Sequence, residues 1–178
     1  MTRRPFRHLE REKARTVQIE FAAGVHGEHL YTWDGRWCAR APKSAPVEAA
    51  IIERPEGAAR KLGLQMSVPR SVREMIERAE QLATDPRTIA RRRLFRVADK
   101  RRGRSVIVAG VRVDADLAVH AAATAAHHED EQIAVAAVTL ETTSAAGLGS
   151  ARCLVLSGRE WVMAIAPIVI GAGEVVDA

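Results

Sequence analysis

Aromatic residues are scarce in this chain, at 4% of 178 residues, with three Trp, three Phe and a single Tyr. That scarcity leaves little material for an extended aromatic platform that stacks successive bases. It also assigns the core to Ala, Val, Leu and Ile. Cysteine is nearly absent: Cys38 and Cys153 stand far apart with no Cys-x-x-Cys spacing. Two free thiols are expected rather than a disulfide, with no cysteine pair at zinc spacing, and they suit a reducing, cytoplasmic setting. No apolar run is long enough to span a bilayer, since the longest, Trp161 to Gly173, contains Pro167. The start, Met1-Thr2-Arg3-Arg4-Pro5-Phe6-Arg7, leads into further charges and no apolar segment, which excludes an ordinary signal peptide.

Catalytic signatures are missing as well. Gly147-Leu148-Gly149 lacks the strand-to-helix context and acidic partner of a dinucleotide loop, and reads as an inter-strand loop. Ser157-Gly158-Arg159-Glu160 has no base nearby and reads as a turn rather than a nucleophile elbow. His120, His127 and His128 precede Glu129, Asp130 and Glu131, but without a His-Glu-x-x-His pattern, so they read as a polar helix end. His26-x-x-His29 sits in a Gly-flanked loop. The expectation is a protein with no cofactor, no metal and no catalytic residue legible in sequence. An enzyme is not thereby excluded, because catalytic groups converge in space rather than along the chain.

What the chain does have is one concentrated charge. Arg87, Arg91, Arg92, Arg93, Arg96, Lys100, Arg101, Arg102 and Arg104 fall within 18 residues against a single acid, Asp99. The strip carries 9 − 1 = +8, the whole chain +5, so the remainder sums to −3. A positive field this local concentrates polyanions at the surface. Guanidinium groups match phosphate oxygens bidentately and stay charged at any working pH. Nucleic acid, DNA above all, is the expected partner. Arg70, Arg73 and Arg78 on the preceding helix are expected to extend the same surface. An acidic protein is the competing partner for such a strip.

Hydrophobic spacing divides the rest. Val17, Ile19 and Phe21 alternate as a short strand. Asp34-Gly35 between β-favouring residues predicts a type I′ hairpin over 30–39. Ala41 to Pro46 is a loop, Arg54 to Gly57 a turn, and a boundary falls between 55 and 64. Residues 1–63 thus form a small β-rich portion and 64–178 the main domain. Val72, Met75, Ile76, Ala79 and Leu82 make one helical stripe, so Ser71 to Ala83 reads as a helix. Ser71-Val72-Arg73-Glu74 has capping-box form, and Arg73/Glu77 and Glu74/Arg78 are placed to pair. Arg87 to Ala98 fits two patterns: a helix capped by Asp85 with Pro86 at its first position, or a strand, which suits Phe95 better. Ser105 to Val113 is β-rich, and Asp114 to His128 is an Ala-rich helix with Asp114 or Asp116 as its cap. Gln132 to Leu140 reads as a buried strand. Arg152 to Leu156 and Glu160 to Ile170 read as a hairpin whose last strand, holding Pro167, belongs at an edge. Trp33 and Trp37 are expected to cover a small core, and Gly171-Ala172-Gly173 to be a tail hinge.

Helix followed by strands recurs at 71–113 and 114–170. On that repeat, residues 64–178 resemble one domain of a DNA sliding clamp, the ring that tethers replicative polymerases. Ser67-Val68-Pro69-Arg70-Ser71-Val72-Arg73-Glu74-Met75-Ile76 is similar to the start of a clamp domain. Ala83-Thr84-Asp85-Pro86 would be the following loop and Leu94-Phe95-Arg96-Val97 the next strand. Val111-Arg112-Val113-Asp114, the helix after it, Gln132 to Leu140, Cys153-Leu154-Val155-Leu156 and Val162 to Ile168 are similar to the last half-domain. The resemblance implies an α+β fold, two helices packed on antiparallel sheet in a βαβββ repeat, and a bacterial or phage-type DNA replication setting. It implies peptide binding at Met163, Pro167 and Ile168. It also implies a homo-oligomer, since single-domain units close a ring with about six copies. The chain departs from the pattern where Ile168-Val169-Ile170 replaces the basic residue after Pro167, and where His120, His127 and His128 stand on the helix that would line the channel.

A helix-turn-helix regulator is the alternative. Ile76 to Leu94 can be laid on that motif, with Ala83 at the turn and Arg91 to Arg93 facing DNA. Ala83 in place of Gly, and Arg92 at a packing position, count against it. A non-enzymatic adaptor for an acidic protein is the third reading. Strand at 91–98 favours the clamp and helix favours the regulator.

Overall fold

The computed structural model describes residues 22–43, 67–144 and 147–168. The strand expected at Val17–Phe21, the turn at 54–57, the boundary between 55 and 64 and the hinge at Gly171–Gly173 lie outside these residues. So does the end of the 41–46 loop.

Among the described residues the chain runs β1 (Ala22–His26), β2 (His29–Trp33), β3 (Trp37–Pro42), α1 (Arg70–Leu82), β4 (Arg87–Ala90), α2 (Arg91–Asp99), β5 (Ser105–Val108), β6 (Val111–Asp114), α3 (Ala115–His127), β7 (Gln132–Ser144), β8 (Gly147–Ser157) and β9 (Val162–Ile165). Seven strands form one sheet in the order β1-β2-β3-β9-β8-β7-β4, and β5-β6 is a separate hairpin. Every pairing is antiparallel. The class is α+β, with three helices packed on the sheet rather than the two expected.

Side-chain alternation along the central strands assigns each face of the sheet a different cover. Leu154, Leu156, Met163, Ile165, Ile133, Val135 and Trp37 point to one face and pack with Leu94, Ala98 and the apolar side of α3. Cys153, Val155, Val162, Ala164, Cys38, Val138 and Leu140 point to the other and pack with Ile76 and Ala79 of α1. Helices α1 and α2 therefore lie on opposite faces, which is not the packed helix pair of a helix-turn-helix. The hairpin β5-β6 closes the α2/α3 side with Val106, Val108, Val111 and Val113.

Several local expectations are corrected. Segment 87–98 divides: Arg87–Ala90 pairs with β7, and the chain then turns into α2 at Arg91, so 91–98 is helix throughout and Leu94-Phe95-Arg96-Val97 is not the strand that the clamp resemblance implied. The change of partner explains the mixed pattern, because Ile89 packs as a strand residue and Leu94 and Ala98 as helix residues. Ser71 does not cap α1; Pro69 holds the cap position and no side chain bonds there. Glu74 pairs backward with Arg70 at 2.6 Å instead of with Arg78, and Arg73 Nη1 meets His26 Nε2 at 3.0 Å instead of Glu77. The hairpin at Asp34-Gly35 forms, but only Gly35 has positive φ. Asp34 Oδ1 accepts the backbone N–H groups of Arg36 at 2.8 Å and Trp37 at 3.2 Å, and this Asx turn spans a longer loop than type I′. Among the described residues the turn with both central residues at positive φ is Ala109-Gly110, at 50° and 74°. Strand β9 is interior, between β3 and β8, and stops at Ile165 before Pro167. The missing N–H of Pro167 thus ends the strand rather than placing it at an edge.

Helix α3 is the hub. Asp114 Oδ1 caps it by accepting the Asp116 N–H at 2.9 Å. Its alanines let sheet, α2 and hairpin approach closely, so residues from Ala115 to Ala123 are all buried. It ends in a Schellman motif: Asp130 N–H donates to Ala125 C=O at 2.8 Å and Glu129 N–H to Ala126 C=O at 3.3 Å, with Glu129 at φ 58°.

Candidate nucleic-acid interface

Helix α2 is short and amphipathic. Leu94 and Ala98 are buried, Phe95 and Val97 half-buried, and Arg92, Arg93, Arg96 and Lys100 face outward. Arg91, Arg92 and Arg93 occupy its first turn, with no acid there and no side-chain cap. Cations at a helix N-terminus oppose the macrodipole. Arg92/Arg96 and Arg96/Lys100 repel at i,i+4 spacing. Each effect is a few tenths of a kcal/mol, but all act against a nine-residue helix that tertiary packing must hold.

Two members of the strip are held by the protein's own carboxylates. Arg91 Nη2 donates to Glu131 Oε1 at 2.9 Å and Arg102 Nε to Asp99 Oδ1 at 2.7 Å. Arg87, Arg92, Arg93, Arg96, Lys100, Arg101 and Arg104 make no ion pair among the described residues. The segment after α2 is anchored to α3: Gly103 N–H donates to Asp116 Oδ2 at 3.2 Å and Ala115 N–H to Arg104 C=O at 3.1 Å. Burial pushes the Asp116 carboxyl above its ordinary range and nearby Asp114 adds to this, while the Gly103 N–H and the Arg102 charge oppose the rise.

Between α2 and α3 lies an open groove of about 460 Å³. Its apolar part is Phe95 with Ala122 and Ala126; Arg91, Arg92, Arg96, Lys100 and Asp99 complete the lining. The sequence reading missed this groove, treating Phe95 only as a periodicity problem. The legible signal was Ala122 and Ala126, small residues four apart on the Ala-rich helix, which leave space beside a larger neighbour.

The other expected site residues fall elsewhere. Arg70, Arg73 and Arg78 stand on α1, across the sheet from α2, and do not extend the α2 surface. Met163 is fully buried in the core and offers nothing to an incoming peptide. Pro167 and Ile168 are half-buried beyond β9, where Ile168 N–H donates to Arg112 C=O at 2.9 Å.

His120 and the two thiols are enclosed. His120 packs edge-on against Trp37, ring centroids 5.3 Å apart, and burial pushes its pKa down to about 4. His127 and His128 sit ring to ring at 5.1 Å, with His128 Nδ1 3.8 Å from Glu160. Among the described residues no group of three or more His, Cys, Asp or Glu is arranged to hold a metal ion. Cys38 and Cys153 are free and buried, and burial, with Cys153 nearby, raises the Cys38 thiol to about 12. No described helix is long and apolar enough to cross a membrane.

Comparison with protein-family models, with curated proteins and with solved structures finds no match.

Proposed function

We propose that this protein binds nucleic acid, DNA in the first instance, through the cationic surface of α2 and the segment that follows it. The observation that carries the reading is the lack of internal neutralisation: seven of the nine cations at 87–104 make no ion pair among the described residues. Three arginines in the first turn of a short helix work against that helix, a local conflict of the kind proteins keep at functional surfaces. Phosphates approaching the same face would relieve the repulsion. The interaction is electrostatic tethering with little base readout.

A clamp-like processivity element is the narrower form of this proposal. It draws on the β6-α3-β7-β8-β9 order of residues 111–165, a strand, a helix and three antiparallel strands. The first half does not repeat that order, since β4 and α2 follow α1 directly. A homo-oligomer is part of the same narrower proposal.

The test is a salt titration of DNA affinity. With about six phosphates neutralised, log K falls against log salt with a slope near −5 on duplex and near −4 on single strands. A flat salt response, or no binding at low salt, would leave an acidic protein as the partner.

A further inference from the structure

We infer that the outer edge of β4 takes an acidic peptide in extended form, added to the sheet as a further strand, with its carboxylates on Arg87, Arg92 and Arg93. This goes beyond the reading of α2 as a nucleic-acid surface, because the groups that pair with the peptide belong to the backbone of the strand before α2.

Strand β4 ends the sheet and pairs with β7 alone. In an antiparallel pair, residues alternate between those that bond the partner strand and those whose backbone points away from it. Arg91 N–H donates to Glu131 C=O at 3.0 Å, one step beyond Ala90 opposite Gln132. By that alternation Ile89 and Arg87 bond β7, whereas Thr88 and Ala90 turn their backbones outward. Ala90 is the N-cap of α2, so its C=O belongs to the helix. The Thr88 N–H, the Thr88 C=O and the Ala90 N–H make no hydrogen bond with another described residue. Thr88 itself is exposed. Donors and an acceptor at strand spacing are what an incoming strand pairs with.

Charge selects the occupant. Arg87, Arg92 and Arg93 flank this edge, all exposed and none in an ion pair among the described residues. Asp85 is the one acid within 84–93. A strand paired antiparallel at Thr88 sets one neighbour opposite Arg87 and the other opposite Ile89. An acid at the first and a β-branched apolar residue at the second match that edge. A second copy of β4 would bring the same free arginines to the joint, and like charges oppose it. Strand β1, at the other end of the sheet, holds no acid. A phosphodiester backbone accepts hydrogen bonds but donates none, so it leaves the Thr88 C=O unanswered.

The test uses the whole chain and a short fluorescent peptide with valine and threonine at its centre and glutamates at both ends. One control peptide is methylated at its central backbone nitrogens, and another has lysine for glutamate. The first peptide is expected to bind, the methylated one about tenfold more weakly, and the lysine one not measurably. Thr88→Pro removes an outward N–H and no bond to β7, a place where an edge strand tolerates proline. It is expected to weaken the first peptide about tenfold while duplex DNA affinity stays within about twofold. Should Thr88→Pro fail to fold, the methylated peptide decides. No binding of the first peptide, equal affinity for its methylated form, or unchanged affinity in folded Thr88→Pro overturns the strand edge and leaves the nucleic-acid surface to its own salt titration. Self-association of the wild type that Thr88→Pro abolishes gives the edge to a second copy and overturns the proposal too. Peptide binding without DNA binding upholds the strand edge and overturns only the nucleic-acid reading.

Discussion

Asp130 accepts a hydrogen bond from the indole N–H of Trp161 at 3.0 Å, joining the end of α3 to the turn before β9 across 31 residues of sequence. Both residues are buried. The same carboxylate takes the Arg159 N–H at 3.3 Å and lies 3.4 Å from Arg159 Nε. A Cβ added at Gly158 would overlap both the Asp130 carboxylate and the Trp161 ring nitrogen. This joint holds the hub helix to the central strands, so the groove and the arginine surface depend on it.

Asp130→Ala leaves the Trp161 N–H buried without an acceptor. A loss of about 2–3 kcal/mol in urea unfolding is expected, with a changed Trp fluorescence emission in the native state. Gly158→Ala is expected to cost at least as much, because its methyl group has no free space. Unchanged stability in both variants would show that the joint contributes nothing.

Among the described residues two hold positive φ without being glycine: Ala109 at 50° in the β5-β6 turn and Glu129 at 58° after α3. Left-handed backbone disfavours a residue with a Cβ by about 1–2 kcal/mol. Ala109→Gly, or Ala109→Asn, and Glu129→Gly are each expected to stabilise by about 0.5–1 kcal/mol, after the added freedom of the unfolded chain is subtracted. Thermal melts of the single and double variants check this, and the two gains should add because the sites share no partner.

His120 makes stability depend on acid. Its pKa falls from 6.5 to about 4 on burial, so between these values the unfolded chain binds a proton that the folded one does not. Stability is then full above about pH 6.5 and declines until about pH 4, by roughly 3 kcal/mol. Asp116, whose carboxyl is raised by burial, has the opposite sign at low pH and offsets part of this. His120→Phe keeps a ring against Trp37 and removes the titration. The difference between wild type and variant, measured by denaturant unfolding from pH 7 to pH 4, isolates the histidine. Parallel curves would mean that His120 is protonated without cost in the fold.

The faces of the sheet can be told apart by charge removal. Arg92→Ala, Arg93→Ala and Arg96→Ala together are expected to reduce the duplex salt slope by about 2.7, from near −5, while Tm holds or rises as repulsion in α2 is relieved. Arg70→Ala, Arg73→Ala and Arg78→Ala together are expected to leave DNA affinity within about twofold, since α1 lies across the sheet. Equal losses from both sets would mean that the partner wraps around the molecule.

Periodicity located the elements whose neighbours are close in the chain. The stripe from Val72 to Leu82 became α1, and the Asp114 cap became the start of α3 as expected. The failures came where a distant partner decided. Segment 87–98 divides at Ala90 because β7 is available to pair with its first four residues and α3 to pack with the rest. Pro167 suggested an edge, yet the N-terminal hairpin adds β3 to the other side of β9.

The arginine strip needed no structure to be seen, because charge is a property of composition along a few turns of chain. Which of those charges stay unneutralised, that Phe95 and two alanines make a recess beside them, and that Arg70, Arg73 and Arg78 belong to a different surface were decided by packing. A carboxylate such as Glu131 reaches Arg91 from 40 residues away, and only the pairing of β4 with β7, Ala90 opposite Gln132, brings them within 3 Å. Local patterns carry helix, strand and charge; the faces on which they end up depend on contacts between segments remote in sequence.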